Sequence, residues 1–244
     1  MNLRWRYSKH FFVLLVAYFV VAPLLGFGFL KGPGMQQTFA VAFLWGALAL
    51  TYDLLFGFTG LLSFGHALFF ASGVYMTTIF VNRLEVNIVV AGFLAVLGTM
   101  VLAVIVGTFS LRTTGITFAM VTLAFGELGR VFIERNFWNL SQGDNGLPIN
   151  AELLPSFFIG VLNTKFLYWL ALAVLITVYA SVWWLTETSA GRVFAALRDN
   201  ELRVSVIGLK PTRFKLLSFT ISAGLAAICG GAMAIVAEIG RAHV

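Results

Sequence analysis

Long apolar runs alternate with short polar segments along most of the chain. Several runs approach about 20 residues, the length that a helix needs to cross the hydrocarbon core of a bilayer. A β-barrel would instead show segments of about ten residues with alternating polarity, and the sequence has none. The pattern predicts an all-α, polytopic transmembrane helical bundle with about seven spans, at 11–29, 38–56, 61–81, 88–109, 114–133, 166–185 and 216–238.

The composition supports a membrane protein. Hydrophobic residues make up 60% of the chain and charged residues only 11%, too few to cover a soluble domain of this length. A single cysteine, Cys229, excludes an intrachain disulfide framework and leaves no cysteine-based metal cluster. A net charge of +6 would suggest nucleic acid in a soluble protein. Here the basic residues lie mostly in loops and are topology signals, so we expect the bilayer and no nucleic acid as the partner.

The distribution of Lys and Arg predicts the orientation. Most of them fall on one side if the N-terminus is cytoplasmic, as the positive-inside rule requires. This topology gives a long outer loop at 134–165 and a long inner loop at 186–215. The first apolar run is too long for a signal peptide and no small-residue cleavage site follows it, so we expect it to remain as the first span.

The second and third predicted spans are joined by an uncharged, glycine-rich connection. Gly57, Gly60 and Gly65 would permit a helix broken at 57–65 near the middle of the membrane, as an alternative to two full crossings. Non-helical backbone at that depth must line protein or a water-filled cavity.

Three polar residues lie beside this break. Asp53 either lines a pathway or holds the broken helix, or it is a hydrated residue near the interface that bonds Tyr52 or Thr59. His66 is either a packed, neutral histidine or a gate residue next to the break, together with Ser63. A metal role is not expected, because no second ligand stands at a suitable spacing.

Two other features of the spans have an ordinary structural interpretation. Glu127 and Arg130 are three residues apart on the fifth span, so they are expected to pair along one helix face. Small residues form ridges on the last span, which let helices approach closely within this chain or at an interface with a second subunit. These residues include Ala223, Ala227, Gly230 and Gly231.

The inner loop holds a charged island, GRVFAALRDNELRVSVIGLK, at 191–210. At 100° per residue it predicts one amphipathic helix over 192–208, with Leu202 and Val206 among the charges on the far side. Such a helix lies on the lipid surface as a connector or docks in a groove of a soluble partner. Its apolar stripe consists of Val193, Leu197, Val204 and Ile207.

Three segments carry a resemblance to a known family. ELRVSVIG at 201–208, with the segments that flank it, resembles the coupling loop of the permease subunits of ABC importers, and more narrowly the branched-chain amino acid permease of the LivM type. GFTGLLSFGHALFFASGVY at 57–75 is similar to that family's Gly-rich segment. LRTTGITFAMVTLAFGELGRVF at 111–132, with SQGDNGLP at 141–148, is similar to its next block and outer loop. The resemblance runs from about residue 45 to 235.

The resemblance implies the function and the partners. Such a permease forms half of a translocation pathway in the bacterial inner membrane, as a heterodimer with a second permease subunit. Two cytoplasmic ABC ATPases drive it, and an extracytoplasmic solute-binding protein delivers the solute. The chain lacks a G-x-x-x-x-G-K-[ST] motif, so ATP-Mg would bind to the ATPases, and we expect no enzyme activity and no bound cofactor here.

The resemblance also implies roles for individual residues. The helix around 192–208 would seat in an ATPase cleft, and the break before the third span would border the pathway. The expected ATPase-coupling residues are Arg192, Leu197, Arg198, Glu201, Leu202, Val206 and Gly208. The expected pathway residues are Asp53, Gly57, Gly60, Ser63, Gly65 and His66.

Two departures from the family pattern bear on the function. Family members usually continue past the last Gly-rich span, so 1–244 is expected to be a single permease domain that is incomplete at its C-terminus. Branched-chain members more often carry Asn near Asp53, whereas urea-type relatives tend to carry Asp. The segment 114–148 looks more like the amino-acid type, so the resemblance implies a branched-chain or related amino acid as the expected solute, with urea or an amide as the alternative.

Two other classes of function are weaker. An ion-coupled secondary transporter would use Asp53 or Glu127, but the sequence shows no clear inverted repeat and this class leaves the charged island unexplained. An intramembrane enzyme needs a third orienting group beside Ser63 and His66, and none is evident.

Overall fold

The computed structural model describes residues 16–21, 33–136, 141, 147 and 164–241. Every regular element among these residues is helical. The predicted first span, 11–29, lies largely outside the described residues, apart from a helical stretch at 16–21. Most of the predicted outer loop, 134–165, also lies outside them.

Besides the helical stretch at 16–21, eight α-helices and one π-helical turn build the described part of the chain. Six of the helices are long and apolar enough to cross a membrane, which confirms the predicted all-α transmembrane bundle and is compatible with about seven spans. The two shorter ones lie in the predicted inner loop. The elements are α1 (Pro33–Asp53), a π-helical turn (Leu54–Phe58), α2 (His66–Leu84), α3 (Ile88–Ser110), α4 (Gly115–Glu134), α5 (Thr164–Glu187), α6 (Ser189–Asp199), α7 (Glu201–Val206) and α8 (Pro211–Arg241).

Helix α8 is the centre of the bundle and packs against α1, α2 and α3. Its most apolar stretch is 83% buried, against 17% for that of α4. Glycines let the backbones of α2 and α8 touch: a β-carbon added at Gly73 would lie 2.3 Å from the carbonyl oxygen of Ala227. One added at Gly230 would lie 2.1 Å from that of Phe70. We call this contact the α2–α8 seam.

The predicted small-residue ridge lies along this seam, inside the chain. Ala223 and Ala227 are buried, and an added β-carbon at Gly231 would come within 3.0 Å of the Thr77 hydroxyl of α2. Close approach of backbones without bulky side chains is the ordinary use of such ridges in membranes.

Helix α8 begins five residues earlier than predicted. Pro211 is its first residue, a position where the missing backbone N–H costs no hydrogen bond. As a result, Arg213 and Lys215 lie on a helix that continues into the bundle, whereas the sequence assigned them to the inner loop.

The non-helical link at 59–65 coincides with the predicted break. The helices on both sides are each long enough to span a membrane, with 25 residues over Gly34–Phe58 and 19 over His66–Leu84. Their lengths favour two full crossings joined by this link. The link borders the connection at 111–114 and helix α6 at one end of the bundle, which we call the α6 end.

The predicted continuous helix over 192–208 is wrong, because the chain breaks at Asn200. Its backbone is extended, with φ −162° and ψ 107°, and its side chain accepts a hydrogen bond of 3.2 Å from the backbone N–H of Arg203. Asn is a preferred N-cap, so it ends α6 and starts α7. The predicted stripe therefore does not continue: Leu197 and Val204 are buried, but Ile207 is 72% exposed.

Candidate functional site

Three separate parts of the chain meet at the α6 end. The link at 59–65, the connection at 111–114 and helices α6 and α7 enclose an open cavity of about 210 Å³ together with the start of α8. The cavity lining includes the predicted coupling residues Leu197, Arg198 and Glu201. It also includes Gly60, which the sequence assigned to the pathway.

Arg198 joins α6 to the end of α1. Its guanidinium donates a short hydrogen bond from Nη1 to the carbonyl oxygen of Gly57. Its aliphatic stem lies over Gly60, where an added β-carbon would be 3.2 Å from Arg198 Cγ. The same guanidinium attracts the carboxylate of Asp53. The structure thus brings Asp53, Gly57 and Gly60 together with one coupling residue, a contact across 141 positions that the sequence did not predict.

The π-helical turn shapes the Gly57 side of this contact. Asp53 folds its carboxyl group over the turn, so that a β-carbon added at Gly57 would lie 2.1 Å from Asp53 Oδ1. Thr59 is not the partner of Asp53, because its hydroxyl donates to the carbonyl oxygen of Leu54 and pairs with Ser218. Single π-helical turns within α-helices occur frequently at functional sites.

Hydroxyl groups from neighbouring helices hold the link. Thr59 Oγ1 lies 2.6 Å from Ser218 Oγ of α8, and the backbone N–H of Phe64 donates to Thr122 Oγ1 of α4 over 3.2 Å. A β-carbon added at Gly65 would lie 2.1 Å from the carbonyl oxygen of Thr122. The bond from Phe64 satisfies a backbone N–H group of the non-helical link, and the pair of Thr59 and Ser218 ties the link to α8. The sequence analysis missed Thr122 and Ser218, since a lone hydroxyl in an apolar run carries no distinctive pattern.

His66 and Ser63 are buried but do not form a pair. His66 Nε2 lies 2.9 Å from the hydroxyl of Thr51, and Ser222 of α8 donates to the backbone oxygen of Thr51. Ser63 Oγ and His66 Nδ1 have no hydrogen-bond partner among the described residues. The nucleophile–base pair that an intramembrane enzyme would need is therefore not formed between them.

Helix α7 presents an exposed apolar surface at the α6 end. Leu202, Val206 and Ile207 are 76%, 84% and 72% exposed, and we call these three the α7 patch. Glu201 Oε2 lies 2.6 Å from Lys215 Nζ, which ties α7 to the first turns of α8. Gly208 follows with φ +86°, a conformation that favours glycine.

The predicted coupling residues on α6 divide between its two sides. Leu197 is 5% exposed and anchors α6 in the bundle, so it does not face outward as the predicted docking stripe required. Arg192 is exposed and donates from Nη1 to the carbonyl oxygen of Glu187 over 3.2 Å. Thr188 starts the helix by accepting a hydrogen bond from the backbone N–H of Gly191.

The described residues contain no cluster of three metal-ligating side chains.

These features define a multi-span helical membrane protein whose charged connection folds against one end of its bundle and holds the link between two spans. Within that class, the chain belongs to the family of permease components of branched-chain amino acid transport systems, whose model matches residues 34–242. The match includes all eight helices apart from the first residue of α1.

Curated relatives agree with this family. The chain is 28% identical over 240 residues to the high-affinity branched-chain amino acid transport system permease protein LivM of Salmonella typhimurium. It is 28% identical over 244 residues to LivM of Escherichia coli K12. Each alignment covers 89% of this chain and 56% of the relative, so the chain spans about half the length of these proteins.

A second kind of relative matches a shorter segment. The autoinducer 2 import system permease protein LsrC of Klebsiella pneumoniae is 32% identical over 136 residues, which cover 55% of this chain and 37% of that protein. No solved structure gives a significant match to the chain.

Proposed function

We propose that this chain forms half of the solute pathway of an ATP-driven importer and that α6 and α7 receive the motion of a separate ATPase. The observation that carries the proposal is that, at the α6 end, an exposed apolar patch lies close to a residue that is bonded to the bundle. The α7 patch is exposed, whereas Arg198, just before the break at Asn200, is bonded to Gly57 in the π-helical turn that follows α1. A partner that moves the patch would therefore act on the link between two spans.

The exposed patch has the chemistry of a docking surface. It combines three large apolar side chains with the charges of Arg203 and Glu201 at its rim. Apolar anchors with a charged rim suit a helix that enters a groove of a soluble protein. On a membrane surface the same patch would insert into lipid, which is the alternative that the sequence left open.

The proposed assembly follows from the family. It contains a second permease subunit, two cytoplasmic ABC ATPases that bind ATP-Mg, and an extracytoplasmic solute-binding protein. The chain would lie in a bacterial inner membrane with its N-terminus and α6 end in the cytoplasm. Residues 1–244 would belong to one permease domain, with 186–215 as the coupling loop and 134–165 as the outer loop.

We propose a branched-chain or related amino acid as the solute. The two LivM relatives support this choice because they align over 89% of the chain, whereas the LsrC relative aligns over 55%. Asp53 favours urea or an amide as the second candidate. Its carboxyl group lies over the π-helical turn at Gly57, a structural position that weakens that argument. An ion-coupled secondary transporter remains the least supported function.

The first experiment is recovery of the native complex. The full chain is purified in mild detergent from membranes of the organism that makes it, and the co-purified proteins are identified by mass spectrometry. We expect a Walker-motif ATPase and a second permease. The double variant Leu202→Ser, Val206→Ser should lose the ATPase, while Ser205→Ala, an exposed change on the same helix, should retain it. Equal recovery of the ATPase from both variants would contradict the proposed role of the α7 patch.

A second experiment tests coupling in the assembled complex. Glu201→Ala removes the bond to Lys215, and Gly208→Ala strains a backbone at positive φ. Both variants should separate ATP hydrolysis from solute uptake without removing the chain from the membrane. Normal uptake per ATP hydrolysed in both variants would overturn the proposed coupling.

A further inference from the structure

Two buried polar atoms beside the link have no hydrogen-bond partner among the described residues. Ser63 and His66 are 2% and 7% exposed, and the two atoms are Ser63 Oγ and His66 Nδ1. We call them the buried link atoms. Burial without a hydrogen bond destabilises a folded chain, so native structures contain few such atoms and each one calls for an explanation.

The contacts of Thr51 determine which nitrogen of His66 carries the proton. The Thr51 hydroxyl has a single proton and donates it to the carbonyl oxygen of Leu48 over 2.7 Å. The same hydroxyl lies 2.9 Å from His66 Nε2, so it accepts there and Nε2 is the donor. A doubly protonated ring would place an unpaired charge in the interior, which is costly. His66 is therefore neutral, and its Nδ1 presents a lone pair that accepts hydrogen bonds.

Tyr52 lies against both residues that carry the buried link atoms. Its ring packs edge to face on the imidazole of His66, with centroids 5.5 Å apart, and its hydroxyl lies near the backbone of Ser63. Tyr52 is itself partly exposed, and Phe64, within the link, is 54% exposed. The buried link atoms therefore lie just beneath the surface of the described chain, next to the Tyr52 ring.

The position of Tyr52 depends on the π-helical turn. Its ring stacks on that of Phe56, with centroids 6.0 Å apart and 24° between the planes. Phe56 belongs to the turn and is followed by Gly57, whose carbonyl oxygen accepts the hydrogen bond from Arg198. Phe56 is 49% exposed, so the described chain does not pack against the whole of the stacked pair. A displacement of Gly57 would be passed to Tyr52 through Phe56.

The chemistry of the buried link atoms suits a ligand that carries N–H groups. The lone pair on Nδ1 accepts from an N–H or O–H donor, and the Ser63 hydroxyl donates or accepts a second hydrogen bond. The ammonium group of an amino acid and the amide groups of urea both supply N–H donors. The two candidate solutes of the proposed function therefore share the group that these atoms would recognise.

We propose that Ser63 Oγ and His66 Nδ1 form a solute-binding site next to the link and that the Tyr52 ring is its gate. The gate is closed in the structure. Movement of α6 withdraws Arg198, swings the stacked Tyr52 and Phe56 outward and uncovers Nδ1 for an N–H group of the solute. Thr51 is a positioning residue, because it fixes the proton on Nε2. The proposal rests on the proposed function and adds the atoms that bind the solute and the residue that admits it.

Labelling of His66 with diethyl pyrocarbonate measures access to Nδ1, because the reagent acylates an imidazole nitrogen that has a free lone pair. His10→Gln and His243→Gln leave His66 as the sole histidine of the full chain. The chain is purified in mild detergent with the subunits that accompany it, and the labelled peptide is quantified by mass spectrometry. We expect Tyr52→Ala to be labelled several-fold faster than the chain that retains Tyr52.

Trp45→Ala is the matched control for this experiment. Trp45 also joins α1 to α2 by an aromatic contact, with its ring stacked 5.6 Å from that of Phe70, and it lies seven residues before Tyr52. Its removal should leave the labelling rate unchanged. Phe56→Ala, an exposed change that keeps Tyr52, tests the gate where Tyr52→Ala does not fold. It should raise the rate, though less than Tyr52→Ala does.

Added solute distinguishes a binding site from an opened space. Leucine and urea are added separately to the Tyr52→Ala chain before the reagent. Several-fold slower labelling with leucine would assign the site to the ammonium group of an amino acid, and with urea to an amide. Protection by neither compound would show that the opened site takes up water only and would overturn the proposed binding site.

The gate fails on two other results. Equal labelling of Tyr52→Ala and the chain with Tyr52 would show that Tyr52 does not cover His66, and equal acceleration in Trp45→Ala would show a general loosening of the bundle. Both results leave the proposed function intact if an ATPase and a second permease still co-purify with the chain. If neither subunit co-purifies, the proposed function fails, whatever the labelling rates are.

Nitrogen NMR of isotope-labelled histidine in the same single-histidine chain tests the acceptor directly. We expect the signals of a neutral ring with its proton on Nε2. Thr51→Val removes the hydroxyl that accepts from Nε2 and should allow the other tautomer to appear. A ring that carries a proton on Nδ1 in the chain with Thr51 would overturn the assignment of Nδ1 as an acceptor, and with it the proposed site.

Discussion

The α2–α8 seam and the α6 end are both closely fitted, but different forces hold them. At the seam, the backbones of α2 and α8 touch at Gly73 and Gly230, and the nearest atoms to each glycine are backbone atoms of the other helix. At the α6 end, polar side chains cross between elements: Arg198 binds Gly57, and Thr59 pairs with Ser218. The seam depends on shape alone, whereas the α6 end depends on hydrogen bonds and charge.

This difference indicates where stability and motion reside. Two backbones in contact cannot shift along each other without losing the contact over the whole seam, because packed interiors have little free volume. Exposed polar contacts exchange readily with water and contribute little to stability. We therefore expect changes at the seam, and at the buried pair of Thr59 and Ser218, to destabilise the fold. Changes at the exposed contacts of the α6 end should affect coupling more than stability.

The largest effect is expected from Gly230→Ala at the seam. The added β-carbon would lie 2.1 Å from the carbonyl oxygen of Phe70, and a backbone atom cannot rotate away. Overpacking typically costs about 1–3 kcal/mol, and this contact belongs at the upper end of that range. Thermal unfolding of the purified protein in detergent measures the loss. Gly92→Ala is the control, because an added β-carbon there has no neighbour within 4 Å. Similar melting temperatures for the two variants would show that the seam can shift.

The buried pair at the base of the link should have the next largest effect. Thr59→Val leaves the buried Ser218 hydroxyl without its partner, which costs about 1–3 kcal/mol, whereas Ser218→Ala should cost less, because Thr59 still donates to the carbonyl oxygen of Leu54. The double variant should cost less than the sum of the two, since it leaves neither hydroxyl unpaired. Thermal unfolding of all three variants gives the coupling energy. Strict additivity would mean that the 2.6 Å contact does not contribute to stability.

Patterns of local origin were predictable from the sequence, and contacts between distant segments were not. Hydropathy located the six described spans to within a few residues, because the length of a span follows from the thickness of a bilayer. The predicted pair of Glu127 and Arg130 is present, since three residues along a helix bring side chains together. The bond from Arg198 to Gly57 joins positions 141 residues apart and depends on how α6 packs against α1.

Two helix boundaries were predicted wrongly, because a pattern over many residues was given more weight than a start signal at a single position. The stripe over 192–208 suggested one helix, although Asn200 followed by Glu201 is a start signal for a new one. Pro211 likewise marks the first residue of α8, but the charges of Arg213 and Lys215 suggested a loop. In both cases the residue type at a single position decided where the helix begins.

Arg198→Ala should separate coupling from stability. The variant removes the bond to Gly57 and the charge beside Asp53, both at an exposed site, so the melting temperature should change by no more than a surface contact allows. In the assembled complex, uptake per ATP hydrolysed should fall by roughly tenfold, as expected if a charge-assisted hydrogen bond of about 1.5 kcal/mol forms in only one state. Arg112→Ala, an exposed arginine in the connection at 111–114 to which no role is assigned, is the control. A large drop in melting temperature without loss of coupling would assign Arg198 a purely structural role.

The smallest effect on stability is expected from Glu201→Gln. The salt dependence of this loss distinguishes the α6 end from the α2–α8 seam. The carboxylate of Glu201 is 46% exposed, and its bond to Lys215 should contribute at most about 1 kcal/mol. At 1 M salt the Debye length is about 3 Å, so the difference between this variant and the unmodified protein should largely disappear. The loss caused by Gly230→Ala should not change with salt, because a steric contact carries no charge. A salt-independent loss in Glu201→Gln would instead show that α7 is held by packing and that the α6 end is as rigid as the seam.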